Sequence, residues 1–144
     1  MESKRVKELM ETELELISPD ATLEEAARKM KECDCGFLPV GEEDRAEGII
    51  TDRDIVIRAV AEGKDPSQEK VRDCMTGEVC SCRDTDTLAD AAMAMSENSV
   101  GRLVVRDGMD RICGVLTFGR IIRTNDDKQE TSEVVEKATG KAAA

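Results

Sequence analysis

The chain has no histidine, tryptophan or tyrosine, and its only aromatic side chains are Phe37 and Phe118. Without histidine it lacks the commonest general base and half of the usual zinc ligand set. With so few aromatics, the core has to be built from Val, Ile, Leu, Met and Ala. No apolar run approaches the roughly 18 to 20 residues of a membrane span. Basic residues are the minority, 21 against 32 acidic, for a net charge of −11. That balance argues against generic binding to nucleic acid or an anionic membrane, although it leaves room for a local basic pocket around one phosphate. The opening Met1-Glu2-Ser3-Lys4-Arg5 has no apolar signal region, so the cytoplasm is the expected compartment. The six cysteines, Cys33, Cys35, Cys74, Cys80, Cys82 and Cys113, are then expected as reduced thiols and not as a disulfide framework.

What the sequence does contain is a duplication. A shift of 65 residues places Val6 on Val71, Met10 on Met75 and Glu13 on Glu78. It also places Thr22 and Leu23 on Thr87 and Leu88, Ala26 and Ala27 on Ala91 and Ala92, and Met30 on Met95. Gly36, Leu38 and Val40 fall on Gly101, Leu103 and Val105. After one inserted residue, Gly48, Thr51 and Ile55 match Gly114, Thr117 and Ile121. A lone copy would be too small to bury much surface, so two copies packing together is the natural solution.

Each copy reads as β-α-β-β-α. In the first, Leu14–Ile17 is a short extended stretch closed by the turn signal Ser18-Pro19-Asp20. Thr22-Leu23-Glu24-Glu25 is a capping box, and Leu23, Ala26, Ala27 and Met30 form one apolar stripe at helical spacing. Thr87-Leu88-Ala89-Asp90 is a weaker box in front of the matching stripe. Gly36–Val40 and Gly48–Thr51 flank a polar turn and read as a hairpin. The second helix is expected from about Asp52 to Glu62, with Ile55, Val56, Ala59 and Val60 inward and Gly63 as its stop. The expected organisation is a first repeat over 1–63, a polar linker over 64–70, a second repeat over 71–123, and a polar tail over 124–144, mobile or loosely helical.

The string most informative about chemistry is Gly48-Ile49-Ile50-Thr51-Asp52-Arg53-Asp54-Ile55. A strand ends at Thr51 and a helix begins at once, so helix-start N–H groups are expected to offer an anion site. Thr51 adds a hydroxyl for a phosphate oxygen, and the Asp54 carboxylate can accept hydrogen bonds from the vicinal hydroxyls of a ribose. The same residues also read as an ordinary N-cap with a first-turn acid.

The duplication, the Gly-x-x-Thr-x-x-Asp string and the Ser18-Pro19-Asp20-Ala21-Thr22-Leu23-Glu24-Glu25-Ala26 helix start together resemble the CBS domain. The resemblance covers residues 6 to about 123 and extends to small stand-alone two-CBS proteins, the CBS pair or Bateman module. It implies an α/β fold of two tandem β-α-β-β-α repeats related by pseudo-twofold symmetry, with two inter-repeat clefts. Carried onto this chain, the first cleft would use Thr51, Arg53 and Asp54. Its opposite wall would be Val79, Cys80, Val100, Gly101 and Arg102. In the second cleft, Thr117 is followed by Arg120 where the ribose-binding acid is expected, and Phe37 stands in the place of Arg102. That cleft is expected not to hold a nucleoside in the same way.

The expected function is a regulatory sensor, not an enzyme, binding an adenosine-type ligand such as AMP, ADP, ATP or S-adenosylmethionine, with a homodimer as the expected assembly. Two other readings stay open: a ligand-free interaction or dimerisation module regulating a partner protein, and a cysteine-based metal or redox sensor. For the last, Cys33-Asp34-Cys35 and Cys80-Ser81-Cys82 offer a one-residue spacer that is short for zinc. Packing as small hydrophobes is the expected role of Cys33, Cys35, Cys80 and Cys82, because Cys35 and Cys82 match Val100 and Ile17.

Overall fold

The computed structural model describes residues 4–42, 44–77 and 79–139. Met1 to Ser3 and Glu78, one of the repeat matches, lie outside the described residues. The chain divides into two compact units, Glu15–Val79 and Met1–Leu14 with Cys80–Ala144. No helix among the described residues is long and apolar enough to cross a membrane.

In the unit Glu15–Val79, helix α2 (Leu23–Cys33) starts where its cap dictates. Thr22 is extended, and its hydroxyl oxygen accepts the Glu25 N–H at 3.1 Å. Leu23, Ala26 and Met30 are buried, but Ala27 is exposed, so the stripe is narrower than the sequence pattern suggested. Strands β1 (Phe37–Glu42) and β2 (Arg45–Thr51) form the expected antiparallel hairpin, with a bulge between Val40 and Gly41. The Leu14–Ile17 stretch is not a strand; it contributes one parallel bridge, Ile17 to Val40. The core gathers Ile17, Leu23, Ala26, Met30, Leu38, Val40, Ile50, Ile55, Ala59, Val71 and Cys74.

The second helix of this unit departs from the sequence expectation. It is α-helical only over α3 (Asp52–Ile55) and continues as a π turn over Val56–Val60. The Ala61 N–H donates to the Val56 carbonyl, five residues back, at 2.8 Å. Ile55 and Ala59 face the core as expected, whereas Val56 and Val60 are 53% and 57% exposed. Each follows a buried residue by one position, about 100° round the axis, and so turns outward. Gly63 ends the helix at φ +72° as expected.

In the other unit, α5 (Leu88–Asn98) carries a full capping box, with Thr87 and Asp90 exchanging side-chain and backbone bonds at 3.1 Å. The three-stranded sheet has the order β3 (Ser81–Arg83), β4 (Arg102–Arg106), β5 (Ile112–Thr117), β3 parallel and β5 antiparallel to β4. Helix α6 (Phe118–Thr124) follows β5 directly. The segment expected as a mobile or loosely helical tail holds a 12-residue helix, α7 (Lys128–Thr139), whose Val134 is 1% exposed in the core. At its base, Asn125 is buried and fully engaged: its Oδ1 accepts from Lys4 Nζ at 2.8 Å and its Nδ2 donates to Glu130 at 3.2 Å.

The units cut the chain at different points from the repeat. Each repeat's opening segment packs with the body of the other. Helix α1 (Val6–Leu9) and Glu11 belong with the second repeat, where Glu11 pairs with Val115. Helix α4 (Val71–Cys74) and Thr76 belong with the first, where Thr76 pairs with Ile49. The matched glycines make this possible. A Cβ on Gly48 would lie 2.4 Å from the Thr76 carbonyl oxygen, and one on Gly114 would lie 2.9 Å from that of Glu11.

Candidate functional site

The Thr51–Asp54 corner is a reciprocal cap. The Thr51 N–H donates to Asp54 Oδ2 at 3.0 Å, and the Asp54 N–H donates to Thr51 Oγ1 at 3.0 Å. The Asp52 N–H donates to the Gly36 carbonyl at 2.9 Å, and the Arg53 N–H to Asp52 Oδ1 at 2.8 Å. The first three N–H groups of α3 therefore all have acceptors. The expected anion site made from helix-start N–H groups is not formed, because Gly36, Asp52 and Thr51 already satisfy them.

What the corner still offers is side-chain chemistry. Thr51 Oγ1 accepts a bond, so its proton can be donated elsewhere. Asp54 Oδ1 lies 3.9 Å from Arg58 Nε, with the Asp54 side chain 13% exposed. One carboxylate oxygen is thus committed to the cap and the other is positioned by a guanidinium. Arg53 is exposed on the same turn. Arg58 is anchored in turn, donating to the carbonyls of Cys74 at 2.9 Å and Met75 at 3.0 Å.

The Thr117–Arg120 corner shares the backbone and not the chemistry. Thr117 Oγ1 accepts the Arg120 N–H at 3.0 Å, and the Phe118 N–H donates to the Gly101 carbonyl at 2.8 Å. The Arg120 side chain is engaged within its own unit. Its Nε donates to the Leu9 carbonyl at 2.5 Å and its guanidinium pairs with Glu11 at 3.1 Å. Leu9 matches Cys74 in the repeat, so Arg120 holds the same structural point that Arg58 holds in the first corner. Sequence reasoning missed Arg58; an Asp-x-x-x-Arg spacing on one helix face was its only signal.

The other sequence-derived residues fall as follows. Val79 ends the unit that contains Thr51, Arg53 and Asp54, and is half-buried. Cys80, Val100, Gly101 and Arg102 lie in the other unit. Cys80 and Val100 pack against its core, and the Cys80 carbonyl accepts from Val104 at 3.0 Å. Phe37 is buried on β1.

The cysteines divide into two kinds. Cys33 and Cys35 are joined as a disulfide, against the expectation of reduced thiols throughout; the helix cap between them brings their Cα atoms to 5.4 Å, within bridging range. Cys74, Cys80, Cys82 and Cys113 are free. Burial pushes the Cys82 thiol up to about 12, helped by the Asp86 carboxylate nearby. Burial also raises Cys74 and Cys113. Such thiols carry little thiolate at neutral pH, which suits packing better than ligation.

The CBS domain model matches residues 6–60 and 71–126. The CBS domain-containing protein YhcV of Bacillus subtilis is 35% identical over 114 residues, 79% of this chain and 80% of its own length. A crystal structure of Hypoxic Response Protein I with two coordinated zinc ions matches at TM-score 0.73 and 29% identity, covering 84% of this chain and 98% of that one. The CBS domain pair of protein MJ0100, in complex with 5′-methylthioadenosine and S-adenosyl-L-methionine, shares the fold at TM-score 0.74 and 24% identity, covering 85% and 95%. With both repeats matched by the family model and the fold shared with solved CBS pairs, this chain belongs to the CBS-domain family and carries two CBS domains in tandem.

Proposed function

We propose that this CBS pair is a non-catalytic regulatory module that binds one adenosine-type ligand, a nucleotide or S-adenosylmethionine, through the Thr51–Asp54 corner. The observation that carries the reading is the different use of arginine at the two corners. At the first, Arg58 holds the neighbouring carbonyls from one turn further on and leaves Asp54 as an acceptor. At the second, Arg120 takes the acid's own position and is consumed by Leu9 and Glu11. In this reading Asp54 Oδ1 accepts the ribose hydroxyls, and the Thr51 hydroxyl and Arg53 serve a phosphate or carboxylate group. Val79, in the same unit, supplies apolar surface to the base. The adenosine-type ligands in the complex of the MJ0100 pair support this choice of ligand class.

Thermal stability measured against AMP, ADP, ATP and S-adenosylmethionine tests it. At least one of them should raise Tm in the wild type, and Asp54→Ala should abolish the shift. A shift that survives unchanged in Asp54→Ala contradicts the assignment.

A second reading is favoured by the exposed Val56, Ile57 and Val60, which lie on one π turn at 53%, 49% and 57% exposure. Such a face suits docking of a second copy of the chain. Sedimentation equilibrium of the wild type against Ile57→Asp tests it: a dimer that the substitution turns into a monomer supports the reading, and an unchanged state counts against it.

A further inference from the structure

Cys33 and Cys35 flank the C-terminal cap of α2, and their sulfurs are bonded to each other. Both are half-buried, while Cys74 and Cys82 are buried. Between them Asp34 lies in the left-handed region at φ 53°, ψ 46°, and its N–H donates to the Met30 carbonyl. The Cys35 N–H donates to the same carbonyl at 3.0 Å. This is a helix stop that usually falls to glycine.

The second repeat contains a natural control. Helix α5 ends at Ser99 with φ 54°, ψ 43°, its N–H donating to the Met95 carbonyl. The Val100 N–H donates to that carbonyl at 3.0 Å. Here the flanking residues are Asn98 and Val100, which cannot be bridged. One backbone shape is therefore reached with a cystine and without one. The backbone shape of this cap and its two hydrogen bonds to one carbonyl do not by themselves require a cystine. A reduced Cys33 also has an acceptor in place, because its Sγ lies 3.8 Å from the Met30 carbonyl oxygen. A bond that is reachable from solvent and dispensable to the backbone can open and close without unfolding its unit.

We propose that Cys33 and Cys35 form a reversible dithiol–disulfide pair, oxidised by a small-molecule disulfide and reduced by a small-molecule thiol. In the oxidation, one cysteine thiolate attacks a sulfur of the small disulfide and releases one thiol. The second cysteine then attacks the resulting mixed disulfide and releases the other. One Sγ–Sγ bond forms in the chain, two S–H bonds are lost, and their protons and electrons leave on the two small thiols. The pair stands close to the Thr51–Asp54 corner, since the residue after Cys35 is Gly36, whose carbonyl accepts the Asp52 N–H at 2.9 Å.

The test equilibrates the full-length chain with graded ratios of reduced to oxidised glutathione, quenches with acid, denatures and alkylates. The tryptic fragment between Lys31 and Arg45 holds both cysteines, so mass spectrometry reads the pair in one peptide. The expected result is a graded replacement of the doubly alkylated peptide by an unalkylated one two hydrogens lighter than the free dithiol, with Cys74, Cys80, Cys82 and Cys113 still alkylated. It should reverse with reduced glutathione, and far-UV circular dichroism should be unchanged between the two forms. The double variant Cys33→Asn/Cys35→Val, which copies the second repeat, should keep the fold and lose the two-hydrogen change. Three results would overturn the proposal: a pair that stays reduced at every ratio, a lasting glutathione adduct, or loss of helical signal on reduction. The wild-type peptide map decides the matter even if the double variant fails to fold.

Discussion

Arg58 and Arg120 do one structural job from positions a helical turn apart, and that offset decides what each corner has left for a ligand. Arg58 reaches the carbonyls of Cys74 and Met75 while its neighbour Asp54 keeps a carboxylate oxygen beside it. Arg120 reaches Leu9 from the acid's own position. Asp54 has two roles, and they separate by substitution. Asp54→Ala removes the cap on the Thr51 N–H as well as the charge, and should cost about 1 kcal/mol of stability. Asp54→Asn keeps an oxygen for that N–H, so it should leave stability nearly unchanged in denaturant titrations while still weakening ligand binding about tenfold or more. Equal destabilisation by both substitutions would assign the carboxylate to an electrostatic role in the fold. Cys82 gives a second residue-scale prediction. Its pKa is raised from 9.0 to about 12 in the folded chain, so its contribution to stability is full below pH 9 and is lost as the pH climbs toward 12. Cys82→Val should therefore flatten the decline of Tm with rising alkaline pH. Parallel declines for variant and wild type would count against this.

Among the elements, the exchanged openings α1 and α4 rest on close backbone approach at two glycines. Gly48→Ala drives a methyl against the Thr76 carbonyl and Gly114→Ala drives one against that of Glu11. Each should cost about 1–3 kcal/mol in urea unfolding, whereas Gly77→Ala, with open space around it, should cost far less. The terminal helix α7 is held by Val134 in the core and by the Asn125 network at its base. Val134→Ala should destabilise by about 2 kcal/mol, as expected for losing two buried methyl groups. A cost near zero would show that α7 adds nothing to its unit. The sequence was a good guide to these elements where one local rule decided them. Thr22 and Thr87 cap helices, Gly63 ends one, and the two hairpins form where β-branched runs flank polar turns. It misled where several rules competed. An α-period stripe placed Val56 and Val60 inward, but the π turn leaves only Ile55 and Ala59 on the core side. For the tail, a Thr- and Glu-rich composition left a mobile segment and a loosely held helix both open; the segment is helical, and Val134 and Ala138 at helical spacing seat it.

At the scale of the whole molecule, the duplication hides the most consequential packing choice. A fixed offset is the same whether each repeat folds on its own opening segment or on its twin's. Sequence matching therefore found Val6 with Val71 and Met10 with Met75, but could not show that α1 packs with the second repeat and α4 with the first. The candidate site was legible in part for a related reason. Thr51 and Asp54 stood out, and so did the exchange of Asp54 for Arg120. The occupied N–H groups of α3 did not, because their acceptors include Gly36, 16 residues away along the chain. The two copies thus share a scaffold and differ in what they leave unspent. One corner keeps an acceptor and a hydroxyl; the other spends its guanidinium on the fold. Isothermal titration of the reduced, full-length chain with the adenosine-type ligand that gives the largest thermal shift tests this asymmetry most directly. The account predicts one binding event per chain, lost in Asp54→Ala and kept in Arg120→Ala. Two equivalent events per chain, or binding that depends on Arg120 and not on Asp54, would contradict it.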